Sequence, residues 1–461
     1  MISDLGEYPS YRTSGVPVLG RMPTEWEVRR AKFIFRELDE RSVTGSEQLL
    51  TVSSEKGVIP RAETEVTMFQ AESYVGHKLC WPGDLVINSL WAWAGGFGFS
   101  KYHGIVSTAY GVYRLRGGHP ATAAYLHRAL RSGLYEREFA VRSRGIWTSR
   151  LQLTDRAFLD MPIVLPPLED QLAIVRFLDF VGSRIQRLVV AKEKLIELLV
   201  AEKRAIIYRV ITSGLDPYAR FEPSGVAWLG DVPSTWDIIP LRLRYSARLG
   251  KMLDAKRITG TSLLPYLRNT DVQWDRINAE ALPEMDISRD ERDRYTVKSG
   301  DLLVCEGGEV GRAAIWDRPE EVGYQKALHR LRPYDGERDK PRFLYYVLRA
   351  MADLGLFKAD GSENTIAHLT AEKLRRLRMP FPPAHEQEAI ASQLDGDLKQ
   401  RETAIASARS QIDLLREFRT RLISDVVTGK LDVREVAGNL PDDSDADAPA
   451  FDEPLEEVAA G

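Results

Sequence analysis

The sequence predicts an α+β fold: two tandem mixed α/β domains separated by two long antiparallel coiled-coil helices, related by a pseudo-twofold duplication. Three observations carry the prediction. The first is repetition. "PPLEDQLAIVRFLDF" from Pro166 returns as "PPAHEQEAIASQLDG" from Pro382, an offset of 216 residues. "SGVPVLGRMPTEWEV" from Ser14 returns as "SGVAWLGDVPSTWDI" from Ser224, and "TSGLD" at Thr212 as "TGKLD" at Thr428. A period this long exceeds any solenoid unit and fits one domain with its connector. The second is a sustained apolar 3–4 spacing after each Pro-Pro pair. The third is the composition of the intervening stretches, where short β-rich runs such as "CWPGDLVINSL" and "SGDLLVC" alternate with Gly-rich turns and helical patches.

Taken in order, residues 1–165 form the first globular domain with a short N-terminal arm. The arm carries no basic region followed by an apolar run, so no secretory leader is expected. Residues 166–215 form a central helix. Ile174, Leu178, Val181, Ile185, Leu188, Leu195, Leu199 and Ile206 follow the 3–4 spacing, interrupted only by Lys192 and Glu202. That is the pattern of a coiled-coil seam. Residues 216–381 repeat the globular pattern, and residues 382–432 repeat the helix. Its seam positions are Leu394, Leu398, Ile405, Ala408, Ile412, Leu415, Leu422 and Val426, with Arg401 and Arg419 as polar interruptions. Each helix begins after Pro-Pro with an acidic first turn and stops at a glycine, as the helix dipole and C-terminal capping favour. A helix of this length spans about 65–70 Å and cannot bury a narrow apolar stripe alone. Two in one chain bury it most simply against each other, although separate places in a larger bundle would also serve. Residues 433–461 read as an acidic disordered tail.

An apolar content of 44% and a charged content of 28% belong to an ordinary globular chain. No run approaches the ~18 apolar residues of a membrane span. Cys80 and Cys305 form no metal-binding or redox spacing and read as small buried apolar residues in a reducing cytoplasm. The net charge of −4 is more than accounted for by nine acidic and no basic residues from Glu435 onward. The body is therefore net positive, with basic clusters at Arg128–Arg156 and Arg242–Arg257. Clusters of this kind suit a phosphate-binding face or a merely solvated one. The sequence holds no phosphate loop, no H-E-x-x-H zinc motif, no nucleophile elbow and no [N/D]-P-P-[Y/F] methyltransferase motif. No catalytic or metal-ligating residue is therefore assigned, and binding is expected rather than catalysis.

From about Tyr8 to Asp432 the chain resembles the specificity (S) subunits of type I restriction–modification systems. "PPLEDQLAIVRFLD" and "PPAHEQEAIASQLD" resemble the start of that family's two spacer helices, with Asp170-Gln171 in place of Glu-Gln. "MPTEWE" and "VPSTWD" resemble the lead into each variable domain. "GEVGRAAIW…GYQKALHRLRP" is similar to a family segment, with Tyr324 where Asn is usual. The resemblance implies two target recognition domains, each reading half of a split double-stranded DNA sequence, held apart by the paired helices. It implies two methyltransferase (M) subunits using S-adenosylmethionine and two restriction (R) subunits using ATP and Mg. This chain would bind no cofactor and carry recognition only.

Polar and basic groups on Gly-rich loops are the expected DNA contacts. In the first domain these are Lys101, Tyr102, His103, Arg142, Arg144 and Arg150. In the second they are Arg268, Asn269, Arg312, Gln325, Lys326 and Asn364. Glu169, Gln171, Glu386 and Gln387 of the Pro-Pro motif are expected to cap helices or dock a partner subunit. Trp26 and Trp236, at equivalent repeat positions, read as core anchors rather than base-stacking groups, and Trp91 with Trp93, at alternate positions, as a pair facing a core, with DNA contact as the alternative. The competing function is a coiled-coil scaffold whose duplicated domains bind protein rather than DNA. A further one is a self-contained nuclease or methyltransferase with unrecognised motifs.

Overall fold

The computed structural model describes residues 5–16, 19–54, 56–64, 72–117, 120–145, 151–253, 260–357 and 369–441. The chain divides into two compact units, Met1–Glu193 with Arg409–Gly461, and Lys194–Ala408. Both dividing points fall inside long helices, so each unit takes one globular half and a part of each helix.

In the first unit, β1 (Glu27–Arg30), β2 (Phe35–Glu37), β3 (Leu85–Asn88), β4 (Phe97–Phe99) and β5 (Tyr110–Leu115) precede two helices, α1 (Pro120–Leu130) and α2 (Gly133–Arg142). Four strands make an antiparallel sheet in the order β2-β5-β3-β4. β6 (Pro162–Leu165) then pairs with β1 and leads through Pro-Pro into α3 (Leu168–Ser213). Phe139 packs on Phe97 of the sheet and Phe158 on Phe35 and Tyr113, while Tyr125 and Leu126 of α1 are fully buried.

The second unit repeats the plan. β7 (Asp237–Pro240), β8 (Tyr245–Leu249), β9 (Leu302–Cys305), β10 (Ala313–Ile315) and β11 (Leu328–Pro333) precede α4 (Pro341–Asp353). The sheet order is β8-β11-β9-β10, the counterpart of the first. β12 (Arg378–Phe381) pairs with β7 and leads into α5 (Ala384–Val427). A second small sheet joins Leu263–Leu267, Glu284–Asp286, Thr296–Val297 and Val322–Tyr324.

The repeated Gly-Asp-Leu has a structural cause. Gly83 and Gly300 both take the left-handed conformation (φ 89° and 91°) at a turn into the central strand. The aspartates that follow are buried. Asp84 accepts from the Trp81 amide and the Arg114 guanidinium, and Asp301 accepts from the Lys298 amide and the Arg332 guanidinium. Each turn is thus stapled to the neighbouring strand by a charge-assisted pair. Cys80 and Cys305 are fully buried nearby. Burial pushes the Cys80 thiol up to about 11 and raises that of Cys305, so both stay protonated.

The long helices run antiparallel wherever a unit contains both. In the first unit Asp170 meets Arg434, just past α5, and Lys192 meets Gln411; in the second, Lys203 meets Glu402 and Gly214, just past α3, lies beside Glu386. Numbers rise on one helix as they fall on the other. α5 keeps the expected seam, with Leu394, Leu398, Ile405, Ala408, Ile412, Leu422 and Val426 buried. α3 departs from it. Ile174, Leu178, Val181 and Ile185 are buried, but Leu188 and Leu195 are 51% and 46% exposed, and Val189 turns inward instead. The inward positions 174, 185, 196 and 207, with 178, 189, 200 and 211, recur every 11 residues. A straight α-helix of 3.6 residues per turn drifts out of a heptad frame and is matched better by that repeat.

Residues 433–441, expected to belong to a disordered tail, are folded. Arg434–Gly438 forms a helix, α6, and Val433, Ala437 and Leu440 are buried. Arg176 of α3 donates to the Leu440 carbonyl at 2.7 Å. Of the nine acidic residues from Glu435 onward, only Glu435 falls in this stretch, so composition averaged over the tail hid its apolar residues. Residues 442–461 lie outside the described residues. No helix among the described residues is long and apolar enough to cross a membrane, and none of their His, Cys, Asp and Glu groups is placed to hold a metal ion.

Candidate nucleic-acid interface

In the second unit, the pairings Cys305↔Leu328 and Leu249↔His329 put the ends of β8 and β9 and the start of β11 at one end of the sheet. Four connections converge there: residues 250–251, 268–270, 306–312 and 324–327. Asn269 holds them together. Its side-chain amide donates to the Gly307 carbonyl at 3.0 Å and the Ala327 carbonyl at 3.3 Å. Arg312 donates to both the backbone and the side-chain oxygen of Asn269 at 3.0 Å. Gln325 bonds through its amide to the Leu267 carbonyl, and Lys326 to the Lys251 carbonyl. Gly250 permits this closeness, since a Cβ there would sit 2.3 Å from the Gln325 carbonyl oxygen. Five of the six second-domain candidates (Arg268, Asn269, Arg312, Gln325 and Lys326) therefore share one surface. Asn364 lies outside the described residues.

Their roles within that surface differ. Arg312 is 14% exposed and Asn269 half-buried, so both spend their donors on the loops themselves. Arg268 is exposed, but a bidentate pair with Asp271 at 2.7 and 2.9 Å raises its pKa and offsets its charge. Lys326 projects into solvent and Gln325 is half-exposed. The arrangement is a rigid, hydrogen-bonded set of loop backbones with a few polar tips, suited to positioning donors against an ordered surface.

Charge counting along the chain overstated the basic footprint. Arg244 and Arg128 are 5% and 6% exposed and belong to the core, Arg244 clamped on Asp339 at 2.6 Å and Arg128 paired with Asp179. Arg248 and Lys251 pair with Asp293 and Glu291. Lys256 and Arg257 lie outside the described residues. Folding brings acidic partners from distant segments, which a linear window cannot see.

The first-domain candidates do not share one surface. Lys101, Tyr102 and His103 follow β4, at the sheet end where Asp84 and Ser100 meet. Lys101 and His103 are exposed, His103 against Trp81 with ring centres 5.3 Å apart, and Tyr102 packs on the core. This is the opposite end from the one used in the second unit. Arg142 closes α2 and bonds Glu138 at 2.8 Å. Arg144 is exposed and pairs through its backbone with Gln152, and Arg150 lies outside the described residues.

Trp26 and Trp236 are buried anchors, but they also donate. The Trp26 indole bonds Asp170 at 2.8 Å and the Trp236 indole bonds Glu386 at 3.0 Å. Gln171 and Gln387 are buried and donate back to the Pro166 and Pro382 carbonyls, both at 2.8 Å, closing the first turn of each long helix. Glu169 is exposed, and the position equivalent to Glu386 is Asp170. Trp91 and Trp93 do not face a core. They stack on each other, centres 5.9 Å apart, with Trp91 56% exposed. Alternation is a strand signal, and these residues stand on a 3₁₀ turn.

Comparison with known proteins places this geometry. Residues 251–406 match the family described as the type I restriction modification DNA specificity domain. The chain is 23% identical over 313 residues to the type I restriction enzyme MjaVIII specificity subunit of Methanocaldococcus jannaschii, covering 65% of this chain and 69% of that one. It is 30% identical over 137 residues to the EcoBI specificity subunit of Escherichia coli, covering 30% and 28%. A chain from a solved structure of type I R-M system assembly superposes with a TM-score of 0.68 at 17% identity, covering 89% of this chain and 99% of that one.

Proposed function

We propose, from the premise that the chain belongs to the specificity (S) subunit family of type I restriction–modification systems, how its DNA recognition is divided. The chain is a DNA-recognition subunit without catalysis of its own, and the scaffold reading is not favoured. Residues 1–165 and 216–381 act as two target recognition domains, each reading one half of a bipartite duplex. Residues 166–215 and 382–432 act as the ruler between the halves. The duplicated sheet, carried on a duplicated helix start, is the observation behind this division. Two copies of one architecture in one chain supply two comparable reading heads, and contact only where they reach leaves unread base pairs between.

Affinity comes mainly from cations on phosphates and discrimination from side chains at base edges. In the second domain Lys326 serves the first role and Gln325 the second, on loops braced by Asn269 and Arg312, and Arg268 reaches a phosphate only in exchange for Asp271. In the first domain Lys101, Tyr102, His103, Arg142, Arg144 and Arg150 remain candidate contacts, as Asn364 does in the second. The chain works in the cytoplasm with two methyltransferase subunits that bind S-adenosylmethionine and two restriction subunits that use ATP and Mg. Glu169 and the exposed helix faces are open to those subunits.

Methylome mapping of cells with and without this chain tests the proposal. One bipartite adenine motif disappears when the chain is removed. Replacing residues 14–165 by those of a relative changes one half of the motif and leaves the other intact; a change in both halves, or in neither, refutes the division of labour.

A further inference from the structure

The two sheets can be compared strand by strand, and the comparison moves the first domain's reading surface. Gly83 and Gly300 mark equivalent turns, so β3 corresponds to β9 and β4 to β10. The connection between β9 and β10 is the 306–312 loop that carries Arg312 and packs against Asn269. Its counterpart between β3 and β4 is residues 89–96, "SLWAWAGG". Lys101–His103 stand at the other end of that sheet. We infer that the Leu90–Trp91–Trp93 turn is the base-contacting element of the first recognition domain, taking the face of a base step in the first DNA half-site. This rests on the reading of the chain as a two-headed DNA-recognition subunit.

The turn is built to present indole rather than to hide it. Trp91 is 56% and Leu90 45% exposed, a large apolar surface to leave in water. It is also rigid. The Trp91 amide donates to the Asn88 carbonyl, the Gly96 amide to the Trp91 carbonyl, and the Trp93 indole to the Leu90 carbonyl at 3.1 Å. Asn88 accepts from the Leu90 amide and donates to the Tyr110 hydroxyl. A Cβ at Gly96 would lie 2.8 Å from the Trp91 carbonyl oxygen, so the tight turn needs glycine. A pre-ordered aromatic pair loses little conformational freedom on binding.

Charge on the flank argues for nucleic acid over a protein partner. Leu153 donates to the Ser89 carbonyl, and the adjoining Gln152 pairs with Arg144, which sets that exposed guanidinium on the segment beside the turn. Apolar wedges flanked by cations are a common way to unstack or grip a base step.

The test uses the full chain assembled with its methyltransferase subunits and duplexes carrying the motif found by methylome mapping. Trp91→Ala is expected to weaken binding about ten- to hundredfold, the size of one lost base stack. The salt dependence stays unchanged, because no phosphate contact is lost. Tolerance of substitutions rises in the first half-site only, and Trp91→Phe recovers most of the affinity. Independently, cognate duplex shields the wild-type indole from acrylamide quenching, and the difference from Trp91→Phe assigns the shielding to Trp91. Unaltered affinity and first-half discrimination in Trp91→Ala overturn the inference, as does loss of methyltransferase co-purification with DNA contact intact. Failure of the underlying reading looks different: the wild-type assembly then methylates no bipartite motif at all.

Discussion

The indole of Trp26 donates to the buried carboxylate of Asp170 at 2.8 Å, joining the lead into the first sheet to the first turn of a long helix 144 residues away. The second unit repeats the joint with Trp236 and Glu386. Both residues of each pair sit in the duplicated phrases, so the most recognisable parts of the sequence are the two sides of one joint in each unit. Asp170→Ala leaves a buried indole N–H without an acceptor and is expected to cost about 1–3 kcal/mol. Glu386→Ala costs less, because Glu386 is only half-buried. Denaturant titration of the two variants checks the order.

Arg244 and Asp339 form a bidentate pair with both side chains at 5% exposure or less. Removing Asp339 leaves the buried Arg244 with only the longer contact to exposed Asp237 at 3.3 Å. Asp339→Ala is expected to lose about 3–5 kcal/mol, whereas exposed Arg29→Ala, across from Glu27, loses less than about 1 kcal/mol. Thermal unfolding of both variants measures the contrast.

His329 is fully buried, with Nε2 donating to the Leu369 carbonyl at 2.6 Å. Burial holds its pKa below the ordinary histidine value, and Arg375 adds to that against the opposing Leu369 bond and Glu306. The folded state therefore takes up its proton less readily than the unfolded one. Stability from this residue is full above the ordinary value near ~6.5 and falls as pH drops below it. Urea midpoints between pH 7.5 and 5.5 should decline more steeply in wild type than in His329→Gln.

Lys326 projects from the braced loops of the second domain without touching their bracing bonds through its side chain. Lys326→Ala is expected to lower affinity alike for matched and mismatched duplexes. The slope of log affinity against log salt falls by about 0.9, the value of one phosphate contact. Fluorescence anisotropy across a salt series reads both.

The helix seam gives a sharp contrast. Leu394 is fully buried and Leu188 half-exposed, although both fit the same 3–4 pattern. Leu394→Ala is expected to cost about 2–5 kcal/mol and Leu188→Ala no more than about 0.5 kcal/mol. Equal losses would restore the heptad seam in α3.

The chain's repeats and periodicities were enough to determine its architecture: two like halves, a pair of long helices and the points where each begins. The helix Leu168–Ser213 falls within the expected 166–215, because proline, acidic first turn, apolar periodicity and terminal glycine are all local signals. The Asn269 cluster was partly legible too, since glycine-rich turns announce close backbone approach.

Only the tertiary structure decided which charges were free and which aromatics were hidden. Arg128 and Arg244 looked like a phosphate face until their carboxylate partners arrived from 51 and 95 residues away. Trp91 and Trp93 looked buried until a 3₁₀ turn set them outward, and the two sheets had to be laid strand on strand before Lys101–His103 proved to stand at the far end from Arg312. Burial and ion pairing are properties of what surrounds a side chain. That surrounding is assembled from residues distant in sequence, so no local pattern encodes it.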